Sequence, residues 1–405
     1  MRIALVSQEY PPETAHGGIG AQTYLRAHGL ASLGHEMFVI SHSVDEHRQE
    51  HATDSVQVIR IPGPDRYLPI YTEAARWLTY STTVAAELAN LHARNPLDLI
   101  VFPEWGAEGY VYLLNRTEWN FIPTVVHIHG PTVMFANTMG WPDFDSELYR
   151  TGTMMEATCL RLADAVSSSS SCSTQWCIEH YGLARASIPN LHTGVDTSLF
   201  APRDVPKAVR PTIIFVGNIA HNKGVDLLLD AAIILARDFE GLKLQLIGRG
   251  DEALSKGLQE RANASGFPEL LELKGFVPRQ ELPIHLSSAH VFAGPSTYEG
   301  GPGNVYLEAM ACALPVIACS GSGVSELLID DETGFLVPPN DLNSLTSRLR
   351  QLLSDKSMRH AVGASARRTV LEEADSKLCL KRLDEFYAEV AEKGYASKVA
   401  CVRAK

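Results

Sequence analysis

The alternation of short apolar runs with helical patterns predicts an α/β chain made of two parallel-sheet, Rossmann-like domains. Three observations carry this. Residues 3–6 (IALV), the helical pattern at 21–32 and residues 37–40 (MFVI) form a strand–helix–strand unit, which requires parallel pairing. A proline-rich, charged segment at 201–211 interrupts the alternation, and the apolar run 212–216 restarts it. Within the second half, residues 289–318 hold an apolar run, a glycine-rich loop, a helical pattern and a further strand.

Taken in order, the first strand leads into a loop at 7–20 with two prolines, His16 and the pair Gly17–Gly18. This loop is not GxGxxG, so the nicotinamide fingerprint is absent where it would naturally sit. Gly17 and Gly18 either bring backbone to a phosphate or are simple turn glycines. The helix that follows stops at Gly34, a residue suited to the left-handed end of a helix. A strand is expected at 56–61, a helix at 72–93, and a buried strand at 97–102 that ends on Pro103-Glu104-Trp105-Gly106. That end is the carboxyl edge, where doubly wound sheets bind ligands.

Strand 123–130 (PTVVHIHG) places His127 and His129 on one face at the same edge. Two histidines two apart on a strand suit a metal, but no carboxylate or cysteine stands at a matching spacing. A polar site contact for His129 is the better expectation. Asp143-Phe144-Asp145 has the DxD form of some metal-dependent sugar transferases, yet it precedes a helical pattern at 147–162 and fits acidic residues at a helix start. A strand is expected at 163–167, and the serine run 167–171 lies within ordered structure. Beyond 201–211, strand 212–216 opens onto a loop ending in Lys223-Gly224, and strand 242–247 ends in Gly248-Arg249-Gly250. Lys223 and Arg249 are cations at the carboxyl edge, either phosphate ligands or surface charges. Helices are expected at 345–353 and 358–372, and an amphipathic helix at 376–393, with a frayed tail after Gly394.

The stretch 294–315 (GPSTYEGGPGNVYLEAMACALP) is the centre of the chain's chemistry. A strand, a glycine loop and a helix N-terminus together make an anion site, because unpaired helix N–H groups point at the ligand. Gly303, Asn304 and Val305 open the helix, with Asn304 in position to cap it. Glu299 and Glu308 flank the site. A carboxylate beside a diphosphate repels it, but suits hydroxyl groups. A ligand with phosphate in its middle and hydroxyls at both ends is a nucleotide sugar. The bland alternative is a strand-to-helix turn with two solvated glutamates.

The 405 residues suffice for two or three domains, and the net charge of −12 argues against a nucleic-acid partner. Seven cysteines without CxxC pairs or zinc spacing suggest reduced thiols in the cytoplasm. The apolar run near the start is too short for a signal sequence, and none reaches about 18 residues, so no membrane span is expected. Peripheral contact with an inner membrane stays open.

The chain resembles the retaining GT-B glycosyltransferases of family 4, the group 1 glycosyltransferases. The resemblance rests on PPETAHGGIG, HIHG at 127–130, GVDTSLF at 194–200 and VGNIAHNKGVDLLL at 216–229. It continues through LIGRG, GFVPRQEL, YEGGPGNVYLEAMACALPVIA at 298–318 and TGFLVPP. It implies two Rossmann-like domains facing across a cleft: 1–200 on the acceptor side, 201–375 for the nucleotide sugar, and a helix at 376–405 packing back on the first domain. It implies that Glu308 holds the donor ribose, that Glu299 lies beside the sugar, and that Lys223 binds phosphate. By the same resemblance His129 lies near the transferred sugar, and Gly18, beside Gly17, at the phosphates. The implied reaction needs no metal or cofactor. A UDP- or GDP-sugar is the donor, and a glycan, glycolipid or small molecule supplies the acceptor hydroxyl.

Two departures stand out. Asn218 occupies the place where the family usually has a phosphate-binding arginine, which Arg249 would have to replace. The two glutamates also lie one residue further apart than usual, through the extra glycine of EGGPG. A non-catalytic partner subunit and a nucleotide-sugar 2-epimerase are the competing readings, with a nicotinamide dehydrogenase the weakest.

Overall fold

The computed structural model describes residues 1–14, 18–45, 47–63, 72–117, 120–183 and 188–403, with backbone alone for 395–403. Gly17 and most of the loop 62–71 lie outside the described residues. The chain forms two compact units, 1–193 with 379–405, and 194–378.

The first unit is built on β1 (Arg2–Val6), α1 (Gly18–Ser32), β2 (Glu36–Ser43), β3 (Gln49–Thr53), β4 (Val56–Pro62), α2 (Glu73–Arg94) and β5 (Leu99–Pro103). It continues with α3 (Tyr110–Leu114), β6 (Thr124–Ile128), α4 (Thr132–Met139), α5 (Glu147–Leu162), β7 (Ala165–Ser168) and α6 (Ser171–Tyr181). The sheet order is β3-β4-β2-β1-β5-β6-β7, parallel except for β3. That strand escapes sequence reading because its polar residues are mostly exposed and carry no apolar period. The serine run does more than stay ordered: Ser170 caps α6 by accepting from Ser173 N at 3.0 Å.

The second unit holds β8 (Thr212–Val216), α7 (Val225–Leu235), β9 (Lys243–Ile247), α8 (Glu252–Ala264), β10 (Leu271–Gly275), α9 (Leu282–Ser288) and β11 (Val291–Gly294). It ends with α10 (Asn304–Ala311), β12 (Val316–Cys319), β13 (Phe335–Val337), α11 (Leu342–Ser354) and α12 (Lys356–Glu373). Its sheet is wholly parallel, in the order β10-β9-β8-β11-β12-β13.

Both sheets carry apolar clusters on both faces, which is why their central strands are continuous apolar runs. On one face of the first sheet, Leu383, Tyr387 and Val390 of α13 (Ser376–Arg403) pack with Ile3, Leu5, Met37 and Leu99. This helix continues to Arg403, where the sequence suggested a frayed tail after Gly394. No helix is long and apolar enough to cross a membrane among the described residues. In each sheet the strand order reverses beside the first strand, between β1 and β5 and between β8 and β11. Loops diverge at such a point and leave room for a ligand at the carboxyl ends.

Candidate active site

In the second unit, three loops converge at the switch point. The loop after β8 makes one 3-10 turn, His221–Lys223, and closes on Gly224 in the left-handed conformation (φ 72°). A Cβ on Gly224 would lie 2.2 Å from the Pro295 carbonyl oxygen, so only glycine lets this loop meet the end of β11. Thr297 N donates to Asn222 O at 3.0 Å and ties the two loops together. The result brings Lys223 Nζ within 2.7 Å of Glu299 Oε1, both side chains partly buried. The extra glycine of EGGPG has a packing role. Gly301 backbone lies so close to Gly323 that a Cβ there would sit 2.5 Å from Gly301 Cα, while Gly323 N donates to Glu299 O at 2.8 Å. The loop is thus braced from behind, with Glu299 on Lys223.

The start of α10 corrects one expectation. Asn304 is the first helical residue, and the cap is Gly303, at φ 66° and with no side chain to satisfy the helix N–H groups. A capping side chain would occupy the donors that an anion needs; here none does. One turn on, Glu308 is buried, and its Oε1 accepts from Arg279 Nη2 at 2.8 Å and Nε at 3.2 Å. The Arg279 guanidinium lies 5.2 Å over the Phe200 ring, which holds it in place. Burial pushes the Glu308 carboxyl up to about 7, against the pull of Arg279.

Asn218 and Arg249 come together beyond the ends of β8 and β9. They line an open depression of about 490 Å³ with Ile219, His221, Gly250 and Leu254. The Arg249 guanidinium stands 5.0 Å over the Phe276 ring. The glycines beside them let two backbones touch: a Cβ on Gly248 would meet Gly217 O at 1.9 Å.

In the first unit, His129 follows β6 and lies at the carboxyl edge. Its backbone N donates to Glu104 Oε2 at 2.7 Å and Gly130 N to Glu104 Oε1 at 2.5 Å. A second buried acid continues the clamp: Glu156 accepts from Thr132 N at 3.0 Å and from Tyr181 Oη at 2.5 Å. Burial pushes Glu104 up to about 7 and Glu156 to about 8. His127 and His129 share a face, with ring centroids 4.6 Å apart. Gly18 opens α1 with no atom within 4 Å of an added Cβ among the described residues, whereas at Gly20 a Cβ would lie 2.9 Å from Glu9 Cβ. Asp143 Oδ1 accepts from Asp145 N and Ser146 caps α5, so the DxD triplet forms the turn before that helix. No group of three potential ligands is placed to hold a metal among the described residues.

Sequence reading missed Arg279, Glu156 and Arg26, which lies under the histidines. Glu104 it placed at the edge without a task. Nothing in a single chain links Arg279 to a glutamate 29 positions on.

The architecture is that of the GT-B glycosyltransferases. Sucrose-phosphate synthase from Thermosynechococcus elongatus has the same fold, with a TM-score of 0.79, 23% identity, and coverage of 96% of this chain and 98% of that one. A UDP-bound protein of Anabaena gives a TM-score of 0.72 at 18% identity, covering 96% of this chain and all of that one. The family model Glycosyltransferase Family 4 matches residues 16–199, and the model Glycosyl transferases group 1 matches 202–369. The chain belongs to this family and is a glycosyltransferase. Among curated relatives, a GDP-mannose-dependent alpha-(1-6)-phosphatidylinositol monomannoside mannosyltransferase of Mycolicibacterium smegmatis is 28% identical, over 91% of this chain and 94% of its own length.

Proposed function

We propose that this glycosyltransferase moves a sugar from a nucleoside-diphosphate sugar to an acceptor hydroxyl, with retention of anomeric configuration and without a metal. The observation that carries the reading is the capless start of α10 between a lysine and two carboxylates. The Gly303–Val305 N–H groups and Lys223 receive the diphosphate. Glu308 accepts from the ribose hydroxyls through its second oxygen, since Arg279 occupies the first. The family resemblance assigns the transferred sugar to Glu299 and His129, and the phosphates to Gly17 and Gly18. Asn218 and Arg249 border the nucleotide from their shared depression.

In the reaction, the bond between the anomeric carbon and the diphosphate oxygen breaks as the acceptor oxygen bonds to the same face of that carbon. The acceptor proton passes to the departing phosphate. Negative charge grows on the diphosphate, where Lys223 and helix N–H groups stabilise it more strongly than in the ground state. Residues 201–375 serve the donor and 1–200 the acceptor. The donor is a GDP- or UDP-sugar, as the mannosyltransferase relative uses GDP-mannose. The acceptor is a glycan, a glycolipid or a small molecule. No disulfide joins the six cysteines with described side chains, in line with the cytoplasm as the site of action.

The test is thermal stabilisation by GDP, UDP, ADP, TDP and NAD, followed by product analysis with the matching sugar donor. A ligand of the folded state stabilises it by about RT ln(1 + [L]/Kd). A shift with one nucleoside diphosphate and an α-linked product from an α-linked donor support the reading. A shift with NAD alone, or an inverted product, overturns it.

A further inference from the structure

Beneath the carboxyl edge of the first sheet, Arg26 of α1 is buried against the two histidines of β6 and its following loop. Its Nη2 donates to His127 Nε2 at 2.6 Å and to Leu191 O at 3.3 Å. A guanidinium has no acceptor, so His127 Nε2 must present its lone pair. The proton of His127 therefore sits on Nδ1, which donates to Ser167 Oγ at 2.8 Å.

Two buried atoms of this group have no protein partner among the described residues: Arg26 Nε and His129 Nδ1. Both side chains, with Thr23 and His127, line a small internal space of about 10 Å³, room for a single water. The Nε–H only donates. A water that accepts from it can donate to a lone pair on His129 Nδ1, and both atoms are then satisfied. A proton on Nδ1 would instead face a guanidinium. His129 is partly exposed while its Nδ1 is sealed, and its other ring nitrogen, Nε2, is not among the buried atoms without a partner.

We propose that Arg26, acting through one bound water, fixes His129 as the neutral Nε2–H tautomer, so that the histidine offers a hydrogen-bond donor at the sheet edge. Glu104 sets the position of the same residue through its backbone N–H. Burial and the Arg26 charge both lower the proton affinity of His129. The Glu104 carboxylate is taken up by two backbone N–H groups, and Tyr387 of α13 and His192 act on Arg26 and His127. Arg26 is thus a positioning residue. Its functional consequence rests on the reading that His129 contacts the transferred sugar: His129 then donates to a sugar hydroxyl and takes no proton in the reaction.

The experiment is nitrogen NMR of the full chain with isotopically labelled histidine, from about pH 5.5 to about pH 8, spanning the ordinary histidine range. His129→Gln identifies the resonance. Expected is a protonated Nε2 and an unprotonated Nδ1 throughout, with Arg26→Met giving a mixed or titrating ring. An Nδ1–H tautomer in the native chain, or titration near the ordinary histidine value, overturns the proposal. So does a folded Arg26→Met chain with an unchanged His129 spectrum. If Arg26→Met does not fold, the native spectrum alone decides. The reading beneath it is separated by activity. His129→Gln keeps a donor and retains transfer that His129→Ala loses, with nucleotide binding equal in both. Equal loss in the two variants, alongside the expected tautomer, sinks the sugar contact and leaves the tautomer assignment standing.

Discussion

Arg279 and Glu308 form a fork in which both guanidinium donors, at 2.8 and 3.2 Å, converge on a single carboxylate oxygen. One oxygen anchors the carboxylate, and the other remains for a ligand. The pair also sets the charge of the site. Burial alone drives Glu308 toward the neutral acid, and Arg279 restrains that drift.

Nucleotide affinity is accordingly expected to weaken as pH falls through about 7, where Glu308 gains its proton. Arg279→Met removes the restraint, so its weakening begins at a higher pH and affinity at neutral pH drops by about tenfold, the scale of one charged hydrogen bond. Calorimetric titration of GDP or UDP between about pH 6 and about pH 9 measures this, with 2′,3′-dideoxy nucleotide as control. An equal loss for the dideoxy form would place Arg279 on the base rather than behind the ribose.

Lys223→Ala is expected to lower turnover by about 100-fold or more, the usual scale for one donor at a developing anion. Its ion pair with Glu299 is partly solvated, so stability should change by less than about 1 kcal/mol. Turnover with saturating donor and a thermal melt of the same sample separate these effects. Turnover within about twofold of the native chain would remove Lys223 from the diphosphate.

Gly224→Ala tests the join between the Lys223 loop and β11. The left-handed backbone alone costs an alanine about 1–2 kcal/mol, and its Cβ would also press on the Pro295 carbonyl. We expect a lower melting temperature and a loss of nucleotide binding larger than the stability loss predicts. Gly18→Ala, whose Cβ would meet nothing within 4 Å among the described residues, should leave stability nearly unchanged.

Glu108 carries a stability prediction with a definite sign. Its carboxyl is buried beside Gln8, Glu9 and Tyr80, and burial pushes it up to about 8. The unfolded chain releases that proton near 4.5, so the folded chain holds it more tightly between those values. This contribution is present below the unfolded value and is lost as pH rises through about 8. Glu108→Gln should therefore flatten the fall in melting temperature between about pH 5 and about pH 8. A steeper fall in the variant would show that the carboxylate is stabilised by charge.

Much of this molecule is legible before any coordinates. The parallel strands are continuous apolar runs because both faces of each sheet are covered, and the helices between them have the helical period. The polar strand β3 and the short helix α4 were not legible, because the first buries almost nothing and the second is set by Pro131 and by Glu156 from another helix. The stretch 294–315 pointed to the proposed anion site through its glycines and two glutamates, read from residue types alone.

The one-dimensional chain by itself determined the two parallel-sheet domains, the family and the set of residue types gathered at the carboxyl edges. Those follow from local periodicity and from motifs read along the backbone. Tertiary structure alone decided the pairings: Lys223 on Glu299, Arg279 on Glu308, Arg26 under His127 and His129, and Glu104 on the backbone of residues 129 and 130. The hydrogen-bonded and ion-paired partners among these lie between 25 and 101 positions apart. Charge and proton position in a buried site depend on distance and desolvation, and both exist only once the chain has folded.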